Sequence, residues 1–93
     1  MLYRYNTFEY DEHKRNLIMN LRSVDIAVDA FVVLCDKNAI TVLSPQKDEV
    51  RYKTTGMLDN KLWTVIHTPR NDNCRIITMR RAHKYEEADY YEN

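Results

Sequence analysis

Long apolar segments and secretion signals are absent from this 93-residue sequence. No stretch approaches the roughly 18–20 apolar residues of a membrane-spanning helix, which argues against a membrane protein. The N-terminal residues MLYRYNTFEYDEH lack a basic start followed by an apolar segment, so we expect no secretory signal. Together these absences predict a cytoplasmic protein.

Cysteine and histidine are scarce and scattered. Cys35 and Cys74 lie far apart, with no metal or redox spacing, and are best interpreted as small apolar side chains kept reduced. His13, His67 and His83 form no i,i+4 pair, so we predict neither a metal site nor a cofactor. His67 stands between Ile66 and Thr68 and is expected to pack within a strand.

Net charge is also absent, because 14 basic residues balance 14 acidic ones. The charges are unevenly distributed, however. Residues 61–84 contain six basic side chains and one acid, a local charge of +5, and residues 85–93 carry four acids. A local basic site on a neutral body fits this pattern, and so does a strand edge protected by cations.

The hydrophobic periodicity changes once along the chain. Helical spacing predicts one helix from Asp11 to about Arg22 and a second that begins near Ser23 or Asp25. Period-two alternation and turn residues then predict four strands, NAITVLS, EVRYKTTGM, LWTVIHT and CRIITMRR, followed by a short C-terminal helix. We therefore expect an α+β fold in a single two-layer domain over residues 1–93: two short N-terminal helices, a four-stranded antiparallel meander and one C-terminal helix.

Alternation along the predicted strands assigns residues to the two faces of the sheet. Ile77 and Met79 should face the helices, with Ile76 on the opposite side. That opposite face is predicted to be open, polar and free of acids, a pattern that an uncovered antiparallel sheet shows in any case. Its members are Arg51, Lys53, Thr55, Thr64, Thr68, Thr78 and Arg80.

The meander also predicts two basic clusters at opposite ends of the sheet. Arg51, Arg70 and Arg75 should lie at one end. The other end should hold Lys61, Arg80, Arg81, His83 and Lys84. Strands of about seven residues separate the clusters by about 20 Å, a spacing that suits an extended polyanion.

Four segments carry a resemblance to a known family. FEYDEHK at 8–14, DEVRYKTTG at 48–56, LWTVIHTPR at 62–70 and CRIITMRRAHKYEEADYYE at 74–92 resemble BrnT, the ribonuclease toxin of BrnT–BrnA toxin–antitoxin pairs. The resemblance implies a RelE-like fold and a metal-independent endoribonuclease that inhibits growth and needs no cofactor. It also implies a hetero-oligomer with a BrnA-like ribbon-helix-helix antitoxin, through which the pair would bind operator DNA.

The resemblance places the family's basic set on Lys14, Arg51, Arg70, Arg75, Arg80 and Arg81. Arg80 and Arg81 are expected to stabilise transition-state charge, with Arg51 as a further catalytic arginine that positions phosphate together with Arg70. His83 is the candidate for proton transfer because it is the histidine nearest the arginine pair. Substrate binding is assigned to Arg70, Arg75, Lys14 and Lys84.

Alternative interpretations of these residues remain open. His83 could be an exposed residue in a first helical turn, and Arg81 could instead anchor the last helix by pairing with Glu86 or Asp11. The family pattern carries Lys-His-Gly where this sequence has Leu21, Arg22 and Ser23. A weakened or inactive toxin homologue, acting as an interaction module with a DNA-binding partner, is therefore the alternative function.

Overall fold

The computed structural model of the chain describes residues 7–92 and contains five strands and three helices. In chain order they are β1 (Phe8–Glu9), α1 (Glu12–Arg22), α2 (Asp29–Leu34), β2 (Ile40–Pro45), β3 (Val50–Leu58), β4 (Lys61–Arg70), β5 (Asn73–Arg81) and α3 (Lys84–Glu92). The α+β class is confirmed. None of the helices described over this range is long and apolar enough to cross a membrane.

The sheet is mixed, with strand order β1-β5-β4-β3-β2. The antiparallel meander from β2 to β5 is confirmed. The expectation of four antiparallel strands is wrong, because β1 adds a fifth strand parallel to β5, pairing Phe8 with Cys74 and Glu9 with Arg75. A two-residue strand is too short for alternation to reveal it.

Local capping explains where α1 begins and ends. The Asp11 side chain accepts a hydrogen bond from the Lys14 N–H at 3.1 Å, as an N-cap residue does. Ser23 ends the helix in the left-handed conformation, and its N–H donates to Met19 O at 3.0 Å. Arg15 then joins α1 to the following loop through two hydrogen bonds to Asp25. The predicted helix from Asp11 to Arg22 is confirmed.

The second helix is shorter than predicted. Residues 26–28 form a turn, in which Asp25 O accepts from the Val28 and Asp29 N–H groups, and α2 spans six residues. The apolar stripe of this segment, whose residues stand at helical spacing, is nevertheless buried. It comprises Ile26, Ala30, Val33 and Leu34.

Helices cover both faces of the sheet, so the two-layer expectation is wrong. On one face α1 and α2 enclose the main core with Trp63, Val65 and Met79. On the other face α3 covers the opposite side of β3 and β4, where Glu86 bonds to Thr64. The predicted open polar face is therefore partly closed: its members Thr55, Thr64 and Thr68 are all buried.

A β-bulge in β5 changes which of its side chains point into the core. The register pairs His67 with Ile76 but Ile66 with Thr78, leaving Ile77 as the extra residue. Because one added residue reverses the alternation, Ile76 joins Met79 in the core. The expectation that Ile76 points away from the α1–α2 layer is wrong for this reason.

Candidate functional site

An open cleft of about 510 Å³ lies where α1, β4 and β5 meet at one end of the sheet. The left-handed Ser23 ends α1 at this point, and the Asp59–Asn60 turn, with both residues at positive φ, leads into β4. The register places Trp63 opposite Arg81. The cleft is lined by Leu21, Arg22, Lys61, Trp63, Arg80, Arg81 and His83.

Arg81 presents its guanidinium group to this cleft. The group lies 5.6 Å from the centre of the Trp63 ring, and Nε donates to Leu62 O at 3.3 Å. Within residues 7–92, no carboxylate forms an ion pair with Arg81. The alternative interpretation, in which Arg81 pairs with Glu86 or Asp11, is therefore wrong. A cation stacked on an aromatic ring keeps its outer edge available for an anion.

Arg80 lies on the opposite face and is the residue that pairs with α3. Its Nη1 and Nη2 donate to the two carboxylate oxygens of Glu86 at 2.7 and 3.0 Å. Glu86 is only 5% exposed and also accepts from the His83 N–H at 2.7 Å and from the Thr64 hydroxyl at 3.1 Å. Because Glu86 projects onto it, the face predicted to be acid-free contains a buried carboxylate.

The protonation of Glu86 follows from these contacts. Burial alone would raise the pKa of its carboxyl group, but the hydrogen bonds from Arg80, the His83 N–H and Thr64 outweigh burial and lower the pKa to about 2. The carboxylate therefore remains charged at neutral pH. Its bond to the His83 N–H also caps the first turn of α3.

The two histidines singled out by the sequence have different environments. His83 is exposed at the start of α3, where its ring lies 5.7 Å from the Tyr85 ring and lines the cleft. His67 is buried, hydrogen-bonded to Thr54 Oγ1 at 2.8 Å and to Cys74 Sγ at 3.7 Å. Burial lowers the pKa of His67 to about 4, so this imidazole is neutral. The expectation that His67 packs within a strand is confirmed.

Arg22 is a cleft residue that the sequence did not single out. Its Nη1 donates to Met79 O at 3.2 Å, which holds the side chain against the end of β5. The sequence marked this position only as a departure from the Lys-His-Gly pattern. The only signal in the sequence was that Arg22 is a cation directly before Ser23, the residue that ends α1.

The second basic cluster lies at the other end of the sheet. Arg51 is paired with Glu49 at 2.6 Å and Arg75 with Glu9 at 3.6 Å. Lys14 and Arg75 line a groove of about 180 Å³ with Asp11. The structure thus brings Arg80, Arg81 and His83 together at the cleft. The other predicted site residues lie outside the cleft: Arg51, Arg70, Arg75, Lys14 and the exposed Lys84.

A family model described as the ribonuclease toxin, BrnT, of type II toxin–antitoxin systems matches residues 10–86. This range includes every residue that lines the cleft. The chain belongs to the BrnT family. The resemblance inferred from the sequence segments is confirmed, and BrnT membership implies a toxin with ribonuclease activity and an antitoxin partner. A search of curated proteins finds no match.

Proposed function

We propose that this BrnT protein is a metal-independent endoribonuclease that cleaves RNA in the cleft beside Trp63. One observation carries the proposal: Arg22, Lys61 and Arg81 converge on this cleft, and none of them is in an ion pair within residues 7–92. Cations without carboxylate partners attract phosphate more strongly than paired ones. The chain's net charge of zero does not oppose this, because the positive charge is local.

The proposed reaction is an attack of the RNA 2′-oxygen on the adjacent phosphorus. The new 2′-O–P bond forms as the P–O5′ bond breaks, which leaves a 2′,3′-cyclic phosphate and a 5′-hydroxyl group. Arg81, with Arg22 and Lys61, stabilises the charge of the pentacoordinate phosphate. His83 takes the 2′-hydroxyl proton and returns it to the leaving 5′-oxygen.

Arg80 acts through Glu86 in this proposal and not on phosphate. Both ends of its guanidinium group are bonded to the Glu86 carboxylate. Glu86 in turn holds the His83 N–H, so the pair positions the start of α3 beside the cleft. Arg80 is therefore proposed as a positioning residue, whereas the sequence analysis assigns it, together with Arg81, to transition-state charge.

The second basic cluster, which contains Arg51, Arg70 and Arg75, is proposed to bind the RNA backbone beyond the cleaved bond. Arg75 pairs with Thr68 of β4, whose hydroxyl donates to the backbone oxygen of Val50, the residue before Arg51. The register pairs Arg75 with Thr68 and Arg81 with Trp63, which are five steps apart on β4, a span of about 17 Å at 3.4 Å per residue. Arg51 and Arg75 both have carboxylate partners, so we assign them a smaller share of RNA binding than the cleft cations.

Metal independence and the partner are also proposed. A cleft lined by four cationic side chains repels a divalent cation, which favours charge stabilisation by the side chains themselves. The antitoxin is proposed to be a BrnA-like ribbon-helix-helix protein that contacts operator DNA, and the reaction is placed in the cytoplasm. The RelE-like relationship stays a prediction.

The alternative of a non-catalytic interaction module rests on one observation. Leu21, Arg22 and Ser23 occupy the position of the family's Lys-His-Gly, so the end of α1 lacks the lysine and histidine that could transfer protons there. Under this alternative the protein binds its antitoxin but leaves RNA intact.

Induced expression distinguishes the two. We expect the wild-type protein to halt growth and degrade cellular RNA, and Arg81→Ala to relieve both effects. Lys37→Ala serves as the control, because it removes an exposed cation that does not line the cleft. Harmless expression of folded wild-type protein with intact RNA would support the non-catalytic module.

A further inference from the structure

A second recess of about 220 Å³ adjoins the cleft. The two share Arg22, Lys61 and Trp63, so a ligand can extend from one into the other. The recess is completed by residues from the end of α1, the start of α2 and the β3–β4 turn. These are Ser23, Val24, Asp29, Leu58 and Asp59.

Opposite charges surround this recess without pairing. Within residues 7–92, no ion pair joins Arg22 or Lys61 to Asp29 or Asp59. Asp29 is held in place because one of its oxygens accepts from the Asp25 N–H at 2.8 Å. Asp59 is exposed in the tight turn, at φ 50°. Cations and carboxylates held apart around one space fit a ligand that carries both an anion and hydrogen-bond donors.

A nucleotide has both features, and guanine fits the carboxylates best. Its Watson–Crick edge presents the N1–H and N2–H donors side by side, which match the two oxygens of one carboxylate. Uracil offers a single N–H on this edge, while adenine and cytosine each offer one amino group beside a ring nitrogen that accepts. RNA-binding proteins commonly read unstacked bases by such edge contacts.

We propose that this recess binds a guanine base whose adjacent phosphate lies in the cleft, with Asp59 accepting from N1–H and N2–H. Asp29 adds a second acceptor, and Trp63 with Leu58 provides the apolar wall. The proposal rests on the proposed function, because it makes the cleft cleave RNA next to guanine.

Trp63 is the only tryptophan of the chain, so its fluorescence reports binding at the recess. We expect titration with guanosine 3′-monophosphate to give a Kd at least about five-fold lower than the adenosine, cytidine or uridine nucleotide gives. Asp59→Asn should abolish the preference, since an amide cannot accept both donors. Asparagine tolerates the positive φ, so the turn is kept.

The matched control is Asp72→Asn, which makes the same change in the β4–β5 turn at the other end of β4. It should retain the wild-type preference. Equal binding of all four nucleotides, or an unchanged preference in Asp59→Asn, would overturn the inference.

Cleavage of RNA oligomers that differ in one base beside the cleaved bond separates the two proposals. Cleavage without base preference, together with equal nucleotide binding, rejects the guanine site and leaves the ribonuclease intact. Guanine-selective binding without any cleavage rejects the ribonuclease and retains the site.

Discussion

Two adjacent arginines have opposite environments at the end of β5. Arg80 lies under α3 with its fork bonded to Glu86, and Arg81 lies on the other face, over Trp63. Strand alternation separates them, as neighbouring strand residues point to opposite faces. Their removal should therefore have different consequences, one mainly for stability and one mainly for activity.

The first prediction compares these arginines by paired substitution. Arg81→Ala should slow RNA cleavage with little loss of stability. Arg80→Ala should lower the free energy of unfolding by about 2 kcal/mol, because the buried Glu86 would lose two charge-assisted hydrogen bonds and keep only Lys53, at 3.8 Å, as a cationic partner. Replacing both Arg80 and Glu86 with glutamine keeps neutral hydrogen bonds and should recover much of the stability and the cleavage. Denaturant unfolding and RNA cleavage assays measure the two quantities. A stable but inactive double variant would show that Arg80 acts directly on RNA.

The second prediction concerns His67 and pH. Its pKa is about 4 in the folded protein against 6.5 when exposed, so the unfolded chain binds more protons between these values. The stabilisation, on the order of 3 kcal/mol, is present above about pH 6.5 and is lost as the pH falls toward 4. Denaturant unfolding at pH 7, 5.5 and 4.5 should show this loss, and His67→Gln should reduce it. An identical pH dependence in the variant would contradict the assignment.

At the scale of elements, α2 contacts β3 through a position that only glycine can fill. A Cβ on Gly56 would lie 2.4 Å from Val33 O, a backbone atom that cannot rotate away. We predict that Gly56→Ala lowers the free energy of unfolding by about 1–3 kcal/mol, because α2 must shift from the sheet. Val50→Ala, at an exposed position of the same strand, is the control for denaturant unfolding. Equal stability of the two variants would contradict the close contact.

The third helix depends on Glu86, which both caps its first turn and pairs with Arg80. Its lowered pKa means that the folded protein releases this proton more readily than the unfolded chain, so the stabilisation is present above about pH 4.5 and is lost as the pH falls toward 2. Glu86→Gln should remove this low-pH loss, measured by circular dichroism at pH 5, 3.5 and 2.5. A variant with the wild-type acid profile would argue against the pair as the anchor of α3.

The elements were largely predictable, and their packing was less so. Alternation located β2 to β5, and Asp11 marked the start of α1, since these signals are local. The β5 bulge at Ile77 and the covering of the polar face by α3 depend on contacts between distant residues, which periodicity does not encode. The cleft was partly predicted through Arg81, His83 and Lys61. Arg22 was missed because its role arises from its contact with Met79 O.

On the scale of the whole molecule, neutral net charge coexists with one cationic end of the sheet. RNA affinity should therefore fall as the salt concentration rises, with a slope set by the small number of phosphates that the cleft binds. Because each contact to single-stranded RNA contributes about 0.7 to the slope of log K against log salt concentration, Arg81→Ala should reduce the slope by about this amount. Lys37→Ala should leave it unchanged. If Arg81→Ala had the same slope as the wild type, the Arg81 guanidinium group would not contact phosphate.

The most direct test of the central claim is cleavage of a defined RNA by the purified protein in the presence of a metal chelator. We predict 2′,3′-cyclic phosphate and 5′-hydroxyl ends, and a rate at least about 100-fold lower for Arg81→Ala, in line with the loss of one donor to transition-state charge. Intact RNA, cleavage that requires a metal ion, or an Arg81 variant as fast as the wild type would contradict an RNA-cleaving site beside Trp63.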